Sequence, residues 1–310
     1  MIVVLAGGVG AARFLQGLVH VVPQNHITVI GNTGDDREFY GLHVSPDLDI
    51  VTYTLAGVVD ETHGWGIQND TYNTMSQLTH YGNEDWFMLG DRDLATHIHR
   101  TSLLRQGKTL SEVTDNLRKQ FGLGLYLMPM TDQPVATHIR TPAGLLHFQE
   151  YMVKRQCADE VQDVLFVGAE EARPAPGVLE ALKEADAILL APSNPIVSIG
   201  SILAVPGIHD VLHEARGMIV AVSPIIGGAP IKGPADKLMS GLGMEVSAVG
   251  VARCYRDFLD VMVIDQRDAH LVSEIEDLGI PTVTTNSIMS DREAKIALAR
   301  KVIEAADLQY

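Results

Sequence analysis

The stretch Ile2-Val3-Val4-Leu5-Ala6-Gly7-Gly8-Val9-Gly10-Ala11-Ala12-Arg13 opens the chain, and its reading decides the fold. A short run of branched apolar residues reads as a strand buried on both faces, as strands of a parallel sheet are. The glycines then turn the chain into a helix, predicted over Ala12–Val21. At such a turn the backbone can approach an anion, and the helix N-terminus offers free N–H groups and the positive end of its dipole. Gly8, Val9 and Gly10 are therefore candidate ligands for a phosphate. The stretch matches neither standard phosphate motif: Arg13 stands where the third glycine of GxGxxG would be, and there is no Walker lysine.

The same short runs recur at Ile27–Ile30, Val164–Val167, Ala187–Leu190, Met218–Val222 and Val261–Ile264. Helix-period segments at Pro176–Glu184 and Asp291–Ala306 lie among them. This alternation predicts an α/β fold, a three-layer Rossmann-like, mostly parallel sheet with helices on both faces. The stretch 70–160 reads differently, as helices followed by a hairpin, Val135–Arg140 with Leu145–Glu150. It is taken as an elaboration of one domain spanning 1–310.

Composition narrows the function. The 310 residues are 46% hydrophobic and carry 39 acidic against 23 basic side chains, a net charge of −16. No basic stripe is present, which argues against a nucleic-acid partner. No apolar run approaches the roughly 18 residues of a membrane span. The N-terminus lacks the charged region of a signal peptide, and Cys157 and Cys254 form no metal or disulfide pattern. The expectation is a cytoplasmic protein.

Ligands of open α/β sheets bind at the carboxyl ends of the strands, so the loops there carry the candidates. The second strand runs into Gly31-Asn32-Thr33-Gly34-Asp35-Asp36, and a helix follows with Ser45 as N-cap and Pro46 at its first position. Asp47 and Asp49 in its first turn diverge by about 200° around the axis. Asp47 reads as a dipole-complementing acid. Asp49, beside Tyr53, is the preferred functional acid, with Asp35 as its partner from the loop. Two carboxylates from separate segments suit Mg²⁺, which takes one or two of them plus waters and substrate phosphates. An acidic protein could thus hold a phosphorylated substrate through a bridging cation.

Further along, Trp65 sits between Gly64 and Gly66, as a flat surface for a ring system or a helix-entry staple with Asp70 as N-cap. In Leu89-Gly90-Asp91-Arg92-Asp93-Leu94-Ala95-Thr96-His97, Asp91 or Asp93 can cap a helix. Asp93, His97 and Arg100 then share one face, which reads as a solvated ion-pair face. Arg92 is a candidate for a phosphate, with a neighbouring carboxylate or His97 as proton acceptor. Two later strand ends, at Ser193-Asn194 and Ser223, repeat the theme of hydroxyls and rigid turns. With the glycine loop they suggest a nucleotide cradle.

Together AGGVGAARF, GNTGDD, SPDLD, WGIQNDT, LGDRDLATH, HFQEY, APSNPIVSIG and SPIIGGAP resemble the 2-phospho-L-lactate transferase family (CofD, FbiA), in order from residue 1 to about 290. The resemblance implies a CofD-like fold and a role in biosynthesis of the deazaflavin coenzyme F-420. A guanosine diphosphate-activated phospholactate, or its phosphoenolpyruvate or phosphoglycerate counterpart, would donate to the terminal hydroxyl of the deazaflavin Fo, releasing GMP. It implies Mg²⁺, at Asp35 and Asp49, and a homodimer. Catalytic roles fall on Asp49, Asp35 and Arg92, and nucleotide contacts on Gly8, Val9, Gly10, Ser193, Asn194 and Ser223. Fo contacts fall on Asp49, Met88, Trp65 and Asp91. Met88 departs from the lysine that methanogen members often carry there, which removes a charged contact with Fo. The competing readings are a non-catalytic nucleotide-sugar-binding regulator of the YvcK-type CofD-like family and an NAD-dependent dehydrogenase. The broken GxGxxG and the lack of an acid at the end of the second strand disfavour the dehydrogenase.

Overall fold

A computed structural model describes residues 1–310. Strand β1 (Ile2–Ala6) leads into α1 (Gly8–Leu18), and β2 (Ile27–Gly31) into the short pair β3 (Arg37–Phe39) and β4 (Leu42–Val44). Helices α2 (Pro46–Leu55), α3 (Asn73–His80), α4 (Asp91–Arg105) and α5 (Leu110–Gln120) follow. Then come β5 (Tyr126–Pro129), the hairpin β6 (Ala136–Thr141) and β7 (Gly144–His147), and β8 (Asp163–Val167). The second half alternates: α6 (Val178–Glu184), β9 (Ala187–Leu190), α7 (Gly200–Leu203), α8 (Ile208–His213), β10 (Met218–Val222), β11 (Ile225–Ile226) and β12 (Ala229–Pro230). It closes with α9 (Ala235–Gly241), α10 (Ala248–Tyr255), β13 (Val261–Asp265), α11 (Val272–Glu276), β14 (Thr282–Thr285) and α12 (Arg292–Ala305).

Seven strands form one parallel sheet in the order β14-β13-β10-β9-β1-β2-β5. Alternating side chains divide the interior into two cores. Ile2, Val4, Leu189, Val220 and Val263 pack with α1 and α12, while Val3, Leu5, Ile188, Ala221 and Ile264 pack with α6, α8 and α10. A strand buried on both faces must be apolar at every position, which is why these runs lack polar alternation. The predicted α/β class and two-faced helix packing hold. No helix is long and apolar enough to cross a membrane.

The structure differs from expectation in three places. Val164–Val167 is a strand, but it pairs antiparallel with β6 in a separate three-stranded sheet, β7-β6-β8. Apolar content specifies a strand, not its partner. The parallel sheet instead gains β5 and β14 at its two edges. Within the stretch 70–160, β5 returns to the main sheet beside β2. Finally, the first helix begins at Gly8, within the glycine run.

Chain reversal at the strand ends depends on close backbone approach. A Cβ on Gly10 would lie 2.1 Å from the Pro192 carbonyl oxygen, and one on Gly7 2.6 Å from Ser198 Cβ. The glycines thus let α1 start against the loop that follows β9.

Candidate functional site

The loops after β1, β2 and β9 converge on Asn32, which is fully buried. Its Nδ2 donates to Asp47 Oδ2 at 2.9 Å, and its Oδ1 accepts from Gly34 N at 2.7 Å and from Ser201 Oγ at 2.6 Å. One side chain thereby fixes the Gly34 turn, the first turn of α2 and the start of α7. Sequence reading passed over Asn32; its signal was an amide at the end of a buried strand, where a hydrogen-bonding hub is needed.

Asp47 faces the glycine loop and Asn32. Burial pushes its carboxyl up, Asp36 adds to the push, and Asn32 and the Gly8 backbone pull against it, leaving it at about 6. Asp35 is buried in the loop, and burial together with the charges of Asp47 and Asp36 holds its carboxyl well above the usual range. Its Oδ1 has no hydrogen-bond partner. Asp36 points elsewhere: its Oδ2 lies 3.0 Å from His43 Nε2 and accepts from Ser45 Oγ at 2.7 Å. Ser45 stands at the N-cap of α2, as expected, but its hydroxyl serves Asp36 and not the helix.

Asp49 lies on the other side of α2. Both its oxygens are taken by Arg100, Oδ2 from Nη1 at 3.1 Å and Oδ1 from Nη2. His97 Nδ1 accepts from Arg100 Nη1 at 3.1 Å, His97 Nε2 lies 3.2 Å from Asp93 Oδ1, and Tyr53 OH donates to that same oxygen at 2.7 Å. Burial works to raise the Asp93 carboxyl, but the contacts with His97, Tyr53 and Arg100 prevail and hold it low. Asp93, His97 and Arg100 do share a face, as the spacing predicts, yet that face is not solvated: His97 is 1% exposed and Arg100 2%. Arg100 pairs with Asp49 and Tyr53 with Asp93, which lets the charged face go inside with only Arg100 Nε and His97 Nε2 left without a hydrogen bond. The structure thus sets Asp35 beside Asp47 and ties Asp49 to Arg100.

The segments around α3 and α4 exchange caps. Asp70 accepts from the backbone N–H of Arg92 at 2.8 Å and of Asp93 at 3.1 Å, capping α4. Asp91 accepts from the backbone N–H of Asn73 at 3.1 Å and of Thr74 at 2.9 Å, capping α3. Asp70 therefore caps the helix after next rather than its own. These bonds, with that from Thr71 Oγ1, hold the Asp91 carboxyl far below the usual range. Arg92 is exposed, its one side-chain bond a 3.3 Å contact to the Gln68 carbonyl. Trp65 and Met88 are 42% and 37% exposed.

On the nucleotide side, the hydroxyls serve the backbone. Ser193 Oγ accepts from Gly7 N at 3.2 Å, and the Asn194 side chain caps the turn at Ile196 and Val197. Ser223 Oγ donates to the Ile225 carbonyl at 2.9 Å. A Cβ on Gly64 would lie 2.7 Å from Lys232 Nζ and 4.0 Å from Val9 Cγ1, so the Trp65 loop, the glycine loop and the loop after β12 meet.

Residues 2–306 match the family described as 2-phospho-L-lactate transferase CofD. The chain belongs to that family. Family members similar to it include a phosphoenolpyruvate transferase of Streptomyces griseus, 48% identical over 312 residues, covering 99% of this chain and 98% of that protein. A 2-phospho-L-lactate transferase of Methanococcoides burtonii is 41% identical over 301 residues, covering 97% and 98%. A UPF0052 family protein of Bacillus halodurans shares the fold, with a TM-score of 0.67 at 14% identity over 97% of this chain and 98% of that one. The CofD chain is a transferase.

No three or more His, Cys, Asp or Glu side chains are arranged to enclose an ion. Asp35 Oδ1, buried and without a partner, fits Mg²⁺, which needs one or two carboxylates and completes its shell with waters and phosphate oxygens.

Proposed function

We propose that this chain transfers a phospholactyl or phosphoenolpyruvyl group from a guanosine diphosphate-activated donor to the terminal hydroxyl of the deazaflavin Fo, releasing GMP. The product is an intermediate of coenzyme F-420. The observation that carries the chemistry is the partnerless Asp35 Oδ1 beside Asp47 at the strand ends, next to the glycine loop. Family membership supplies the reaction class.

The hydroxyl oxygen of Fo forms a bond to the distal phosphorus, and the bond from that phosphorus to the GMP phosphate oxygen breaks. Such transfers need positioning and charge neutralisation more than a covalent nucleophile. Mg²⁺ bound through Asp35 would neutralise charge on the diphosphate. Asp47, at about 6, is ionised at neutral pH yet basic enough to take the hydroxyl proton at Oδ1. Asp49, paired with Arg100, anchors the first turn of α2 and so sets where Asp47 stands. Arg92 is free to meet a phosphate.

Gly8, Val9 and Gly10 offer backbone N–H groups to the nucleotide, and Ser193, Asn194 and Ser223 shape the loops around it. Trp65 and Met88 face Fo, with Asp91 holding their loops in place. A cytoplasmic homodimer acting on small molecules completes the reading.

The test is incubation with Fo, Mg²⁺ and each guanylyl-activated donor, following product mass and GMP. We expect turnover that chelation of Mg²⁺ abolishes. Absence of turnover with every donor, in protein shown to be folded, overturns the proposal.

A further inference from the structure

Nine buried side-chain polar atoms have no hydrogen-bond partner, and six of them lie in the 33–37 loop and the β6–β7 hairpin: on Thr33, Asp35, Asp36, Arg37, Thr137 and His147. Buried polar groups in native proteins are nearly always satisfied, so such a concentration asks for a ligand. The loop joins the hairpin where β7 ends, through a bond from Thr137 N to the Gly34 carbonyl at 2.6 Å. Four of the six can donate: Arg37 Nη1 and His147 Nε2 only donate, while the Thr33 and Thr137 hydroxyls can donate or accept.

The His147 donor follows from its neighbours. Gln149 N donates to His147 Nδ1 at 3.2 Å, so Nδ1 carries the lone pair and the ring proton is assigned to Nε2. The Arg37 guanidinium carbon lies 5.5 Å from the centroids of both Phe39 and Trp86, which wall it with aromatic faces. Its nearest carboxylate is Glu150, with Oε2 at 4.0 Å from Nη1, beyond hydrogen-bond reach. About a third of the Arg37 and Glu150 side chains is open to solvent, 32% and 30%, so a small solute can reach the group. The His138 ring lies edge-on to His147 at 5.5 Å and adds a second imidazole to the wall.

The Asp36 backbone is close to the His147 ring without making a well-formed bond to Nε2; a strict donor beside a permanent cation, neither with a well-formed acceptor, suits an oxyanion. Arg37 stands two residues from Asp35, so their Cα atoms lie within about 7 Å, and the three-carbon acid is the part of the donor joined directly to the phosphorus held at Asp35. Mg²⁺ at Asp35 and Arg92 would serve the phosphates, and Lys232 lies on the glycine-loop side; on the hairpin side of Asp35 the cation is Arg37.

We infer that Arg37 and His147 form the subsite that takes the carboxylate of the three-carbon acid on the donor. The inference rests on the transferase reading above. It makes Arg37 and His147 specificity-determining residues: a donor without the carboxylate leaves two buried donors unpaired, which disfavours it by about 10- to 100-fold.

The experiment is calorimetric titration of the full chain with three probes: GDP, guanosine diphosphate-activated phosphoenolpyruvate, and the methyl ester of that donor's carboxylate. Wild type should bind the acid about 10- to 100-fold more tightly than the ester. Arg37→Ala and His147→Phe should bring that ratio close to one while GDP binding stays unchanged. Arg37→Lys, which keeps the charge but loses the fork, should keep part of the ratio, and it serves as the test should Arg37→Ala fail to fold. A wild-type ratio near one overturns the inference, as do variants that keep the full ratio. Parallel loss of GDP binding overturns it too, because the contact would then be to phosphate. If wild type discriminates acid from ester yet transfers nothing to Fo, the transferase reading fails and the subsite stands.

Discussion

Asp49→Asn tests the buried network between α2 and α4. In the native chain Arg100 is 2% exposed and both its terminal nitrogens rest on Asp49. Its remaining acceptors are neutral: the His43 carbonyl at 3.4 Å and His97 Nδ1 at 3.1 Å. Asparagine offers one carbonyl oxygen and a competing amide donor, leaving a guanidinium buried without its counter-charge. Breaking such a pair from one side costs about 3–5 kcal/mol. With an unfolding entropy of about 2.1 cal/mol/K per residue, that lowers Tm by roughly 5–8 °C in a chain of this size. Urea denaturation and thermal unfolding measure it directly. Arg100→Gln alone should cost a similar amount, and the double variant clearly less than the two combined, with a coupling of about 2 kcal/mol or more. A loss under about 1 kcal/mol in Asp49→Asn, or strict additivity in the double variant, refutes the account of Asp49 as a buried charge partner.

Three further outcomes follow from the site. Asp47 is pushed up to about 6 in the folded chain, so the folded state binds its proton more tightly than the unfolded one, and its contribution to stability falls as pH rises from about 4 to about 6. Asp47→Asn removes that loss: in Mg²⁺-free buffer it should be more stable than wild type at pH 7.5, by up to about 3 kcal/mol, and nearly equal near pH 4. Equal stability differences at both pH values in chemical denaturation would count against it. Asp35→Asn should abolish the rise in Tm that Mg²⁺ gives wild type in the presence of GDP; a retained rise removes Asp35 from the ion. Gly10→Ala drives a Cβ to within 2.1 Å of the Pro192 carbonyl and should cost about 2–3 kcal/mol in urea unfolding, with wild-type stability as the refuting result.

What the sequence made legible tracks burial. The five central strands β1, β2, β9, β10 and β13 read directly, because burial on both faces demands unbroken apolar runs. The sheet edges did not: Tyr126-Leu127-Met128-Pro129 and Thr282-Val283-Thr284-Thr285 are half-exposed, and a proline or threonines can stand where no neighbour needs a donor or an apolar face. Val164–Val167 shows the converse, an apolar run whose partner is set by the hairpin beside it. In the site, helical geometry correctly separated Asp47 from Asp49. It could not say which faced the glycine loop, since that depends on Asn32 and Arg100, 15 and 51 residues away along the chain. The charges of α4 looked like a wet surface because period alone does not reveal that α2 brings a matching acid, Asp49, and a hydroxyl, Tyr53.

The crossed caps at Asp70 and Asp91 make the intervening segment a closed loop pinned at its neck. Each acid completes the start of the other's helix, so neither α3 nor α4 is finished until the neck has formed, and the two nucleate as one cooperative unit. The exposed tip at 81–83 can change length at little energetic cost, since loop closure entropy grows only slowly with size. The neck and the cluster of Met75, Leu89 and Leu94 together separate the buried charges of α4 from the exposed tip. The segment is also riveted from beneath, since Met75 and Leu89 pack with Phe39, Val44 and Leu94, so only its exposed tip stands apart from the enzyme.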